Sequence, residues 1–265
     1  MNIKLVATDI GGTLARDDGS LSGNTVGVLR ALINKGIKLA LVTGYNMEMT
    51  QKFSNKIPAD IITIIQNGAI IYDGKELLQT NYLKKETARK VIKFFESKGL
   101  TPILFSGVEG GGKVYYKRMN EKFIPRSSFI EVNDFDEVLT EDPVEISAWE
   151  STEDILALKE EAESLFGDKW YVTASIQEKR SWLEVLNPKA RKAEALLTIM
   201  RKNGIKPEEV IYFGDNYNDV ECLKAVKYPV VVDNGLPDVK TLAWRIAPSN
   251  NDDGVASVLK NVFNL

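Results

Sequence analysis

Ile3-Lys4-Leu5-Val6-Ala7-Thr8-Asp9-Ile10-Gly11-Gly12-Thr13-Leu14 begins as an apolar strand, reaches a carboxylate and breaks into a glycine turn. Far down the chain Val210-Ile211-Tyr212-Phe213 runs out in the same manner into Gly214-Asp215-Asn216-Tyr217-Asn218-Asp219. Short apolar runs bounded by turn residues suit strands buried on both faces, and open α/β sheets place their chemistry at the C-terminal ends of such strands. Asp9 and Asp215 are therefore expected on one edge of one sheet.

Working outward, the pattern after Thr13 predicts a helix over about 23–35 stopped by Gly36, a strand over 37–42, a helix over about 46–54 and a strand over 61–66. The rhythm returns after residue 189, with helix 189–203 stopped by Gly204, strand 210–213, helix 217–225, strand 229–232, helix 236–242 and a closing helix 254–262. Strands alternating with helices imply βαβ units and a parallel sheet covered on both faces. The middle differs: helix 84–98 precedes apolar runs at 101–106 and 113–117, and helix 152–166 precedes runs at 169–174 and 181–186. Two αββ units suggest a mainly antiparallel sheet with helices on one face. The expected fold is thus α/β, a doubly wound Rossmann-like parallel sheet core formed by 1–81 and 188–265, with an α+β cap domain inserted at 82–187. Such an insertion is expected to hang over the C-terminal edge of the sheet and to close on the site.

Composition narrows the chemistry. The 265 residues contain no histidine, so an imidazole base or metal ligand is excluded, and catalysis falls to carboxylates, lysines, hydroxyls and a hard metal ion. Lys+Arg 34 against Asp+Glu 37 gives a formal charge of -3, without a basic stripe for nucleic acid or an anionic membrane. The single cysteine, Cys222, sits among Val220, Leu223 and Val226 and reads as a small buried side chain. No secretion signal or membrane-length apolar run is read, which gives an expectation of a cytoplasmic protein without membrane or nucleic-acid partners.

Several local features admit two readings. Gly11-Gly12-Thr13 is either a plain turn off a strand or a set of backbone amides offered to an anion. Thr43-Gly44 is either a phosphoryl-oxygen cradle or the N-cap of the following helix, and Lys192 either neutralises an anion or belongs to a solvated basic turn with Lys189 and Arg191. The constellation is more telling than its members, because all fall at strand ends or helix starts on one expected sheet edge. Asp215 to Asp219 lacks the glycine and terminal glutamate of a calcium loop.

Taken together, the chain resembles the haloacid dehalogenase-like superfamily, in particular its Cof-type phosphatases with an inserted α/β cap. Asp9-Ile10-Gly11-Gly12-Thr13-Leu14 resembles the D-x-D-G-T-L signature, Val42-Thr43-Gly44-Tyr45 the T-G-R segment and Gln66-Asn67-Gly68-Ala69 the N-G-A segment. Ala190-Arg191-Lys192-Ala193 is similar to the lysine-bearing helix start, Gly214 to Asp219 to G-D-x-x-N-D, and Asn250 to Val255 to N-x-D-G-V. The resemblance implies hydrolysis of a small phosphorylated metabolite through an aspartyl-phosphate on Asp9. It further implies magnesium, Mg2+, held by Asp9, Asp215 and the carbonyl of Gly11; phosphate contacts from Thr43, Gly44, Lys192 and Asn218; and Asp219 as the residue orienting Lys192 or a water.

Three departures stand out. The family's second Asp, its acid and base, is Gly11 here, the Arg of T-G-R is Tyr45, and Ala193 replaces the Gly after the lysine. A vacant acid/base position predicts slow turnover, since general acid–base groups contribute about 10²–10⁴ in rate. It leaves open the alternative of a non-hydrolysing phospho-ligand binding protein, and Asp17 or Asp18 as substitute acids, although both suit a solvated turn. In the insert, Trp149, Trp170 and Trp182 are candidates for a ring platform or for packing, and Arg118, Lys122 and Arg126 for a second anionic group or a solvated face.

Overall fold

The computed structural model describes residues 1–57, 60–109, 111–121, 123–176 and 181–265. The chain divides into two compact units, Met1–Thr80 with Arg191–Leu265, and Asn81–Ala190.

Among the described residues the first unit carries one eight-stranded sheet, in the order Arg245–Ala247, Tyr228–Val232, Val210–Gly214, Leu5–Thr8, Lys38–Val42, Ile62–Ile65, Ile70–Asp73, Glu76–Thr80. The first six strands are parallel, and Leu5–Thr8 lies at the middle, paired with Val210–Gly214 on one side and Lys38–Val42 on the other. Side chains alternate between faces along each strand. Val6, Leu41, Ile211 and Phe213 pack with the helices Gly23–Asn34 and Gly254–Phe263, whereas Leu5, Ala7, Val42 and Tyr212 pack with Lys192–Lys202 and Val220–Ala225. Both faces are covered, which is why these strands are apolar throughout rather than alternating. Cys222 is fully buried in the second of these layers.

The last two strands turn antiparallel, an addition to the expected parallel sheet. Their signal was a two-residue hairpin turn, Gly74-Lys75 after Asp73, with Gly74 at a φ of 60° that only glycine takes cheaply.

The second unit holds a six-stranded sheet, ordered Tyr171–Ser175, Ser181–Leu186, Glu145–Glu150, Ile103–Phe105, Val114–Tyr116, Phe129–Glu131. All neighbours are antiparallel except the last pair. Helices Lys85–Ser97 and Thr152–Phe166 cover one face through Val91, Phe95 and Ile155, which meet Leu104, Ile146, Ala148, Leu183 and Val185. Two strands exceed the expected αββ pair, and one of them, Glu145–Glu150, is central. Glu145 and Ser147 on this strand are polar yet buried, so its sequence mimics a half-solvated segment.

Trp170 is packing: it stacks on Phe166 with ring centroids 3.6 Å apart and joins the helical layer. Trp149 and Trp182 face each other across paired strands on the opposite face, with Trp149 stacked on Phe123 at 5.6 Å. Arg118 is committed internally, to Glu131, the Phe123 carbonyl and the Tyr116 hydroxyl. Lys122 lies outside the described residues.

Candidate active site

Asp9 follows the central strand directly, its backbone N–H donating to the Phe213 carbonyl at 2.9 Å and so extending the pairing by one rung. The neighbouring strand ends at Gly214, and Asp215 follows it. Pairing in register, Thr8 opposite Phe213, thus delivers both carboxylates to one sheet edge. The turn between Asp9 and Thr13 passes so near Asp215 that a Cβ on Gly12 would lie 2.7 Å from Asp215 Oδ2, and Gly12 also takes a φ of 77°. Glycine is required there on both counts. Thr13 Oγ1 then donates to Asp215 Oδ1 at 2.5 Å.

Lys192 opens the helix after the insertion but is not on a solvated turn. Its side chain is 1% exposed, and Nζ donates to Asp9 Oδ1 at 2.7 Å and to Asp219 Oδ1 at 2.9 Å. Asp219 is fully engaged: Oδ1 also accepts from the Tyr212 hydroxyl at 2.7 Å, and Oδ2 accepts the backbone N–H groups of Asp215 and Asn216 at 3.1 and 3.2 Å. Its office in this structure is to hold Lys192 and to shape the Gly214–Asp219 turn.

The electrostatics follow from burial. Desolvation pushes the Asp9 carboxyl up to about 7 against the opposing pull of the Lys192 ammonium, with Asp219 adding to the rise. Asp215 is likewise raised well above its usual value, by burial first and by Asp9 and Asp219 next. Burial lowers Lys192, but Asp219 and Asp9 outweigh it, and the ammonium is held charged. Carboxylate oxygens of Asp9, Asp215 and Asp219 lie within 4.8 Å of one another. Three carboxylates facing one ammonium leave an excess of two negative charges. A hard divalent cation on oxygen donors fits that excess, and with Asp219 committed elsewhere the oxygens suited to it belong to Asp9 and Asp215.

A second loop completes the edge. The helix Met47–Ser54 is capped by Asn46, whose side chain accepts from the Met49 N–H, so Thr43 is not the cap. Thr43 Oγ1 instead accepts from the Tyr45 N–H at 3.1 Å, and Gly44 lies between them on this turn. Asn218 Nδ2 donates to Asn67 Oδ1 at 3.1 Å, and the Asn67 N–H donates to the Thr43 carbonyl at 3.0 Å, which links the expected phosphate contacts. Asn67, at a φ of 51°, keeps a buried Nδ2 donor without a partner among the described residues. Buried donors are rarely left unmet, and this one suits an anionic guest. The N-G-A segment marked the residue, although no role followed from sequence alone.

Tyr45 is the residue that sequence reasoning undervalued. A Cβ on Gly11 would lie 2.6 Å from Tyr45 Oη and 3.1 Å from Cζ, so the space beside residue 11, expected to be vacant, holds a phenol. Asp17 does not take it: its carboxylate accepts from Asn250 Nδ2 at 2.9 Å and Asn251 Nδ2 at 2.7 Å, and those bonds lower its pKa. Asp18 is exposed and accepts from the Ser20 N–H. The Asn250–Asp253 segment therefore ties down the turn after Thr13, with Asp253 accepting from Arg16 and Ser22.

The sequence profile of a family described as haloacid dehalogenase-like hydrolase matches residues 6–259. Among curated proteins, the chain is 27% identical to the 5-amino-6-(5-phospho-D-ribitylamino)uracil phosphatase YitU of Bacillus subtilis, over 98% of each chain. It is 24% identical to the phosphoglycolate phosphatase of Sulfolobus acidocaldarius, over 98% of this chain and 97% of that protein. Its fold superposes with a TM-score of 0.84 on a haloacid dehalogenase-like hydrolase from Bacteroides thetaiotaomicron, at 22% identity over 98% of this chain and 100% of the other. Among the described residues no helix is long and apolar enough to cross a membrane.

Proposed function

The chain belongs to the haloacid dehalogenase-like hydrolases, and on that premise we propose that it hydrolyses small phosphate monoesters through an aspartyl-phosphate on Asp9. The observation that carries this reading is the buried Lys192 ammonium shared between Asp9 and Asp219 beside an uncompensated Asp215. A carboxylate nucleophile needs no base of its own, and an ammonium already in place meets charge developing on the phosphoryl oxygens without reorganisation. Asp9 attacks phosphorus in line with the ester oxygen. Thr43, the Gly44 amide, Asn218 and Lys192 hold the remaining oxygens, while Asp219 keeps Lys192 aimed. Asp9, Asp215 and the Gly11 carbonyl would hold Mg2+, which when bound supplies Lewis-acid neutralisation of the phosphoryl charge.

The inserted unit is assigned to substrate selection, and the substrate itself is a small phosphorylated metabolite. The two curated relatives named above act, by their names, on unlike phosphates, a pyrimidine-ribityl ester and phosphoglycolate, so kinship alone does not choose one.

Hydrolysis of p-nitrophenyl phosphate with and without Mg2+, in the parent and in Asp9→Asn, tests the reading. Turnover is expected to need the metal and to fall by a factor on the order of 10⁴ or more in the variant, as when a covalent nucleophile is removed. The rival, a phospho-ligand binding protein, is favoured by the missing carboxylate at residue 11. Saturable binding of inorganic phosphate by the parent with no Asp9-dependent turnover would select it.

A further inference from the structure

Resting on the aspartyl-phosphate reading, we propose that the Tyr45 phenol is the general acid of this site, the group that protonates the departing alcohol. The placement carries it. From bond lengths of about 1.5 and 1.2 Å, a carboxylate oxygen lies roughly 2.4 Å from its own Cβ. Tyr45 Oη lies 2.6 Å from where a Cβ on Gly11 would stand, at about the radius a carboxylate oxygen on residue 11 would occupy. Gly11 is two residues from Asp9, and two residues of chain span at most about 7 Å, so this oxygen sits against the same short turn that carries the Asp9 carboxylate.

The phenol is held there. Its ring stacks on the buried Phe53 with centroids 6.1 Å apart and planes 27° apart, its N–H donates to Thr43 Oγ1, and its carbonyl accepts the Gln66 N–H at 3.0 Å. Competing donors are committed: Lys192 is held charged between two carboxylates, Tyr212 is buried on Asp219, Thr13 is spent on Asp215, and Asp17 is tied to Asn250 and Asn251. Gly11 and Tyr45 are also matched to each other, since a side chain at residue 11 would place its Cβ 2.6 Å from Tyr45 Oη and the phenol would have to shift to admit it. Two of the departures from the family pattern thus form one device, a glycine that makes room and a tyrosine that fills it.

The chemistry balances. As an Asp9 oxygen bonds to phosphorus and the ester P–O bond breaks, the phenolic proton passes to the leaving oxygen, giving the alcohol, the aspartyl-phosphate and a tyrosinate. The tyrosinate then takes a proton from water as the hydroxide oxygen bonds to phosphorus and the Asp9–phosphorus bond breaks. Phosphate, the Asp9 carboxylate and the phenol are regenerated.

Tyr45→Phe keeps the ring on Phe53 and removes only the hydroxyl. The quantity to measure is kcat/KM, which reports steps through alcohol release and is blind to later hydrolysis of the aspartyl-phosphate. For glycerol phosphate, whose alkoxide must be protonated, it is expected to fall at least about 100-fold. For p-nitrophenyl phosphate, whose leaving group departs as the anion, it is expected to hold within about 3-fold. Gly11→Asp with Tyr45→Ala should recover alkyl turnover that Tyr45→Ala alone has lost, whereas Gly11→Asp beside an intact Tyr45 should gain little. Equal effects on both esters in Tyr45→Phe, or none, in protein whose p-nitrophenyl phosphate turnover is Asp9-dependent, would overturn the proposal and leave the phosphatase reading standing. No Asp9-dependent turnover of either ester would overturn both.

Discussion

Each unit of this protein buries carboxylates, and the two solve the problem in opposite ways. In the first, Asp9, Asp215 and Asp219 cluster about Lys192, and each carboxylate accepts at least one hydrogen bond. In the second, Glu145 is 3% exposed and Glu184 is 6% exposed on neighbouring strands, and no ion pair reaches Glu145 among the described residues. Among the described residues Glu145 Oε2 lacks a hydrogen-bond partner. Burial, and then the Glu184 charge, raise the Glu145 pKa well above its usual 4.5, with the adjacent Ser147 hydroxyl pulling the other way. The comparison teaches that a fixed cation works against the desolvation that protonates a buried acid, as Lys192 does for Asp9 and Asp215, whereas Glu145 meets burial and a like charge with no cation among the described residues to oppose them.

The largest expected effect follows from removing that cation. Lys192→Met leaves two buried carboxylates facing each other, and breaking a buried pair in this way costs about 3–5 kcal/mol. Urea denaturation at pH 8 should show a loss of that order, shrinking at pH 5 as the orphaned carboxylates take up protons. A variant as stable as the parent at pH 8 would break the contrast between the units.

A smaller effect of opposite sign is expected in the second unit. The folded-state pKa of Glu145 lies above its unfolded value of 4.5, so its contribution to stability is fully present below pH 4.5 and is lost as pH rises through the folded value. Glu145→Gln should therefore match the parent near pH 4 and exceed it increasingly toward pH 8, by a few degrees in Tm, each kcal/mol being worth about 2–4 °C in a chain of this size. A thermal scan showing a pH-independent difference would refute the assignment.

The smallest effect sharpens the same point. Glu184 accepts from Ser175 Oγ at 3.1 Å and repels Glu145, so Glu145→Gln and Glu184→Gln should not add. A double-mutant cycle at pH 8 should return a coupling of about 0.5–1 kcal/mol, and additivity within about 0.3 kcal/mol would mean that the two glutamates do not sense each other.

Much of the first unit was legible in sequence because its evidence is local. Apolar runs ending in Asp9 and Asp215 sit at the strand ends where they were expected, and Gly204 and Gly36 stop their helices. The antiparallel pair after Ile65 went unread because its cue was a short turn at Gly74, and the central strand of the second unit because Glu145 and Ser147 look solvated. Thr43 illustrates the same limit at the site: a hydroxyl before a helix fits a cap, and only the structure hands that task to Asn46.

The sequence by itself determined which chemistry was available, since a chain without histidine and with carboxylates at two strand ends has few ways to act, and hydrophobic periodicity is written residue by residue. The tertiary structure alone decided that Lys192 is a buried bridge rather than a surface charge, and that Tyr45 fills the space beside Gly11. Those facts depend on which strands pair and in what register, which brings together residues 183 positions apart in one case and on separate loops in the other. Charge state and steric fit are properties of that assembled neighbourhood, set by burial and by the nearest few ångströms, and no single stretch of chain contains them.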